Sequence, residues 1–169
     1  MDTEPSNNPH IKHKVLALLD ELNIKYRWLA HPAVYTVAES MQYIKGKTPI
    51  KNLLLQEKNN GRKILVIMAG NERLDTKLIA SKLGTKKLQF AGPETLEHTL
   101  GVAPGAVSVF GLLYDGSANV EVVIDNQLLK EKELGFHPND NIATLFIPGA
   151  ALVQIIQRTG HKYEALKLY

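Results

Sequence analysis

Two apolar runs, "IKNLLLQ" and "RKILVIMA", lie either side of the short polar stretch "EKNNG" and leave the chain few options. Asn60-Gly61 is a strong turn dipeptide, since both residues tolerate the positive φ values that a tight connection between strands requires. An antiparallel hairpin is predicted here. Ahead of it, Ile11, Val15, Leu16, Leu19 and Leu22 recur at helical spacing and predict an amphipathic helix over 10–23. "KYRWLA" reads as a short strand ending at His31-Pro32. Thr36 followed by Glu39 has the spacing of a capping box, which predicts a second helix running to about Ile44.

After the hairpin, "LDTKLIASKLG" predicts a helix with Asp75 as cap and Gly84 at its end. "KKLQFA" reads as a strand and "GPETLEHTLG" as a short helix with Pro93 in its first turn. The stretch 100–111, "LGVAPGAVSVFG", then forms a loop that leads into a strand; Ser108 carries its one polar side chain. "NVEVVID" and "NIATLFI" are further strands, "NQLLKEKELG" a turn or short helix, and "GAALVQIIQRTG" a closing helix. Residues 1–9, polar and rich in Pro and Asn, read as a flexible tail, and 10–169 as a single domain. Strands alternating with helices predict an α+β fold, a mixed, partly closed β-sheet flanked by helices.

Composition narrows the chemistry. The 169 residues contain no cysteine, which excludes a disulfide framework, thiolate metal sites and thiol nucleophiles. No apolar run approaches the roughly 18 residues of a membrane span, and the acidic, polar start "MDTEPSNNPH" is unlike a secretory signal, so the cytoplasm is the expected location. Twenty Lys and Arg against 17 Asp and Glu give a net charge of +3, well short of a protein that coats nucleic acid. The excess is uneven, however. Lys12, Lys14, Lys25, Arg27, Lys45, Lys47 and Lys51 all lie in the first third, as a solvated face or as a face for phosphates. Of six histidines only His10 and His13 have metal-like spacing, and neither a nucleophile elbow nor a Walker loop is present, so no metal and no cofactor are expected.

Three stretches are poorly explained by folding alone. Lys51-Asn52 enters an apolar strand, where the lysine either snorkels to the surface or serves a ligand. The loop from Gly101 to Gly105 is either a tight connection or a set of backbone N–H groups converging on an oxyanion. In "GFHPNDNIAT", His137, Asn139, Asn141 and Thr144 gather before a strand, as an Asn-rich turn or as a pocket rim.

"KNLLLQ", "LDTKLIASKLG", "LGVAPGAVSVFGL" and "GFHPNDNIAT", in this order, resemble the YbaK/EbsC-like aminoacyl-tRNA deacylases, and most of all their free-standing prolyl-tRNA editing branch. "HPAVYTVAES" looks like that branch's His-Pro, aromatic-Thr, acidic segment. The resemblance covers roughly 10–165. It implies hydrolysis of a mischarged aminoacyl-tRNA(Pro), alanyl-tRNA(Pro) first, without a covalent intermediate, the substrate's own ribose hydroxyl helping to activate water. It implies catalytic roles for Lys51, Gly101, Pro104, Gly105 and His137, and substrate contacts from Asn52, Ala103, Ser108, Asn141, Thr144, His31 and Thr36. Partners implied are the acceptor end of tRNA(Pro) and a transient contact with prolyl-tRNA synthetase. Two departures, Val109 where the family often has proline and "GKTPI" ahead of Lys51, bear on amino-acid specificity. Cysteine, serine or threonine as the residue removed, a non-catalytic binding module of the same fold, and a protein-docking module remain the alternatives.

Overall fold

The computed structural model describes residues 9–58 and 61–169, with side chains from residue 12 onward. The tail expected before residue 9 and the Asn60 half of the predicted turn lie outside the described residues. In chain order the elements are α1 (Pro9–Glu21), β1 (Arg27–Ala30), α2 (Val37–Ser40), β2 (Ile50–Glu57), β3 (Lys63–Ala69), α3 (Thr76–Leu83), β4 (Leu88–Phe90) and α4 (Pro93–Leu100). They continue as β5 (Val120–Asp125), β6 (Leu134–Phe136), β7 (Ala143–Ile147), α5 (Ala151–Arg158) and β8 (Tyr163–Leu166), with 3-10 turns at Val109–Leu113 and Asn126–Lys130.

The predicted hairpin is present as β2 and β3, antiparallel from Ile50↔Ala69 to Gln56↔Lys63. It forms the middle of a mixed sheet of order β4-β2-β3-β5-β8, in which β3–β5 and β5–β8 run parallel. A second, antiparallel sheet of order β1-β7-β6 stands apart, and the strands do not close into a barrel.

Strand β3 shows why its sequence is continuously apolar. Leu65 and Ile67 face the larger core, shared with α1, α4, α5 and the second sheet; Ile64, Val66 and Met68 face a smaller core beneath Ile79 of α3 and Leu168. A strand covered on both faces has no side to leave polar. β5 divides in the same way, Val122 and Ile124 to one core and Val123 to the other.

Local signals hold at the helix ends. Asp75 accepts the N–H groups of Lys77 and Leu78, Gly84 closes α3 in the left-handed conformation, and Pro93 opens α4. Three expectations are corrected. The second helix stops at Ser40, whose hydroxyl donates to the Val37 carbonyl at 2.7 Å; looser turns then carry the chain past Ile44. The strand expected after the loop is a buried 3-10 turn, because the Phe110 N–H is taken by Ser108 Oγ and its carbonyl by Asn139 Nδ2. Those groups are then unavailable to a sheet. β6 and β8 were not anticipated, being short and without regular polar alternation.

Candidate functional site

The N-terminal half of β2 forms one wall of a cleft of about 340 Å³, with the start of α2, the loop after α4, Phe90 of β4 and His137 around it. Lys51 and Asn52 are set there by pairing with Met68 and Ile67 of β3. Lys51 lines the cleft half-buried, and no carboxylate among the described residues pairs with it. Its charge is thus offered to whatever enters. Asn52 Oδ1 is buried beside it with no hydrogen-bond partner. An acceptor left in that state costs about 1–3 kcal/mol, a cost that a donor on a bound ligand removes.

The loop after α4 supplies the opposite wall. Gly101 ends α4 at φ 65°, its N–H bonded to the Glu97 carbonyl, and a Cβ there would lie 2.7 Å from the Tyr114 ring. Only a residue without a side chain fits. The chain then turns, Ala106 N–H to Ala103 O at 3.1 Å, and brings Pro104, Gly105 and Val107 to the cleft. Gly105 adopts φ 87° directly against Tyr35. Among the described residues, neither the Gly105 nor the Val107 N–H has an acceptor. These amides are the donors that a developing oxyanion would need. The far end of the loop is clamped: Ser108, fully buried, donates to Asn139 Oδ1 at 3.4 Å, and Asn139 Nδ2 reaches the Phe110 carbonyl at 3.0 Å.

His137 lines the cleft with its Nδ1–H donated to the Ala143 carbonyl at 3.1 Å. Burial pushes its imidazole below the ordinary histidine range, outweighing that hydrogen bond, and His31 nearby acts in the same direction. The ring is therefore held neutral with Nε2 as an acceptor. His31 stands behind it, 6.2 Å away edge-on, stacked on Tyr43 at 4.7 Å. Its Nδ1–H donates to the Pro32 carbonyl at 2.8 Å, and Nε2 meets Thr144 Oγ1 at 2.7 Å. Asn141 Nδ2 donates to the Val34 carbonyl at 3.0 Å, tying the segment before α2 to the loop before β7.

Of the residues singled out in the sequence, the fold brings Thr36, Lys51, Asn52, Pro104, Gly105 and His137 to the cleft. Gly101, Ala103, Ser108, Asn141, Thr144 and His31 are not on its wall; Ala103 closes the turn that presents Pro104 and Gly105, and His31, bonded to Thr144, stands behind His137. Thr36 serves the capping box, accepting the Glu39 N–H at 3.1 Å while Glu39 accepts the Thr36 N–H. Sequence reasoning gave no role to Tyr35, the aromatic of its aromatic-Thr segment, and passed over Phe90; both are exposed aromatic side chains on the cleft. A lone aromatic in a short strand or turn has no periodicity to flag it. The basic face is partly spoken for: Arg27 and Lys47 pair with Glu133, and Lys12 lies over the Trp28 ring. Among the described residues no three His, Asp or Glu side chains come together in a way that could hold a metal ion.

A small α+β frame thus carries, around one cleft, a cation without an ion pair among the described residues, a buried acceptor without a partner and loop amides without acceptors. Comparison with known proteins gives the family. The family model for the aminoacyl-tRNA editing domain matches residues 31–155, and the chain belongs to that family. Prolyl-tRNA editing protein ProX of Acetoanaerobium sticklandii is 36% identical over 164 residues, covering 93% of this chain and 97% of that protein. Prolyl-tRNA synthetase associated domain-containing protein 1 of Xenopus laevis is 31% identical, covering 89% and 93%. A solved structure described as a candidate trans-editing enzyme for prolyl-tRNA synthetase shares the fold, with TM-score 0.72 at 23% identity over 96% of this chain and 99% of that one.

Proposed function

We propose that this chain is a trans-acting aminoacyl-tRNA deacylase that clears mischarged tRNA(Pro), with alanyl-tRNA(Pro) as its substrate, and that residues 10–169 act as one editing domain. The observation that carries the reading is Lys51, an uncompensated cation facing loop amides without acceptors across one cleft. An aminoacyl ester is already activated, so its hydrolysis needs a placed water and a stabilised oxyanion more than a strong base. Water adds to the ester carbonyl, the tetrahedral oxyanion collapses, and the ribose oxygen leaves with a proton to give free alanine and deacylated tRNA. Lys51 holds a phosphate or the ester oxygen, and the Gly105 and Val107 amides take the developing charge at roughly 3–4 kcal/mol for a well-placed donor. Neutral His137 accepts a hydrogen bond at Nε2 and so orients the substrate. Orientation of the ester supplies much of the remaining rate.

Specificity follows from size. Alanine is smaller than proline, so a closed pocket admits the wrong residue and excludes the right one, which is how a second site corrects what a synthetic site cannot reject. The chain's relatives, a prolyl-tRNA editing protein and a prolyl-tRNA synthetase associated domain-containing protein, support prolyl-tRNA as the carrier and a transient encounter with prolyl-tRNA synthetase.

The test is deacylation of alanyl-, cysteinyl-, seryl- and prolyl-tRNA(Pro) by the wild-type chain beside Lys51→Ala. Rapid loss of alanine alone, slowed about 100-fold or more by the substitution, is expected. Release of a different amino acid moves the substrate, and survival of every ester leaves the binding-module alternative.

A further inference from the structure

The two aromatic side chains on the cleft have no structural duty that explains them. Tyr35 is 68% exposed and Phe90 59% exposed, although each sits on a fixed backbone. Tyr35 precedes the capping box, and its N–H donates to Glu39 Oε2 at 2.5 Å. Its main chain and ring also lie against Gly105, close enough that a Cβ there would touch both. Phe90 is paired with Leu55 in the β4–β2 ladder, and the next amide, Ala91 N–H, is bonded to the Leu54 carbonyl at 2.9 Å. A buried position would stabilise either ring, so each forgoes hydrophobic burial while its attachment stays rigid. Both line the cleft that holds the Lys51 cation and the unpaired Asn52 oxygen.

We propose that Tyr35 and Phe90 form a stacking platform for the terminal nucleobase of the acyl-bearing strand, so that the protein grips the base as well as the ester. The assignment rests on the deacylase reading above. A cation for phosphate beside an exposed aromatic face is the combination by which unpaired nucleotides are held, and every base presents a π-face to such a ring. Rigid attachment limits the entropy lost when the base docks. The platform acts on binding, whereas the loop amides act on the reacting carbonyl.

The experiment compares two alanyl esters of the same acceptor-stem hairpin, one with its terminal adenine and one with an abasic terminal ribose. Wild type, Tyr35→Ala, Phe90→Ala, Tyr35→Phe and Phe90→Trp are measured on both, with Tm recorded for each. On the adenine substrate each alanine variant is expected to raise KM roughly 5- to 100-fold with kcat little changed. The ring-retaining variants should stay near wild type, and all five proteins should converge on the abasic substrate. Wild-type KM in both alanine variants, or an equal loss on the two substrates, overturns the platform while leaving the deacylase intact. If wild type hydrolyses neither ester, the deacylase reading fails. Binding of a non-hydrolysable alanyl-adenosine amide then decides the platform by itself: weakening in both alanine variants supports it, and unchanged affinity overturns it.

Discussion

His137 illustrates how a single side chain is assigned its role by its surroundings. With Nδ1–H committed to the Ala143 carbonyl and burial favouring the uncharged ring, its protonation is displaced below the ordinary value of about 6.5. Because the folded state holds the proton less tightly than the unfolded chain, this group costs nothing above that ordinary value, and stability falls as the pH drops from there through the lowered folded value. NMR titration of the His137 ring is expected to give a midpoint below the ordinary value of about 6.5. A midpoint at or above that value would overturn the neutral-ring assignment. Lys51, in contrast, owes its readiness to what is missing around it. Among the described residues no ion pair reaches it: Glu133 is held by Arg27 and Lys47, and Glu121 by Arg62.

At the scale of elements, the loop from Gly101 to Gly105 does two jobs that its sequence left undivided. Gly101 ends α4, where its left-handed backbone and the Tyr114 ring both exclude a side chain; Gly105 brings a bare backbone to the cleft. Gly101→Ala is therefore expected to lower stability by about 1–3 kcal/mol, read as a reduced midpoint in chemical denaturation. Activity should fall only in so far as the loop shifts. The 3-10 turn at Val109–Leu113 explains why the apolar stretch after the loop is not a strand. Ser108 and Asn139 capture the Phe110 backbone, and the partner residue lies 29 positions away.

For the whole molecule, the hairpin β2–β3 ties both cores together, so damage there is felt on either face. Leu65→Ala, a fully buried truncation in the larger core, is expected to cost about 2–5 kcal/mol in denaturant unfolding. Acid stability has a named contributor. Asp115 is pushed up by burial, but hydrogen bonds from the Val120 N–H, His161 and the Ser117 hydroxyl outweigh this and leave its carboxyl below the usual range. Its folded state thus favours the ionised form, giving stability present above about pH 4 and lost as the pH falls below it. Tm measured from pH 7 down to pH 3 should decline less steeply in Asp115→Asn than in wild type, from a lower starting value.

What the sequence determined by itself is what neighbours along the chain can decide. The Thr36–Glu39 box, the Asp75 cap, the Gly84 and Gly101 helix ends, Pro93 and the two apolar runs each act within a few residues, and each appears where its chemistry puts it. The motifs carrying the family resemblance are equally local, so Lys51, Pro104, Gly105 and His137 stand out in the sequence alone. The tertiary structure alone decided the rest. Thr144 meets His31 across 113 positions, Asn141 meets Val34 across 107, and Ser108 turns inward to hold a turn instead of outward to a ligand. Tyr35 and Phe90 become a pair only because α2 and β4 border the same cleft. The reason is physical: hydrogen bonding and backbone sterics within a segment are written in adjacent residues. Which distant side chains share a buried or open space depends on how whole sheets and helices pack, and no local pattern records it.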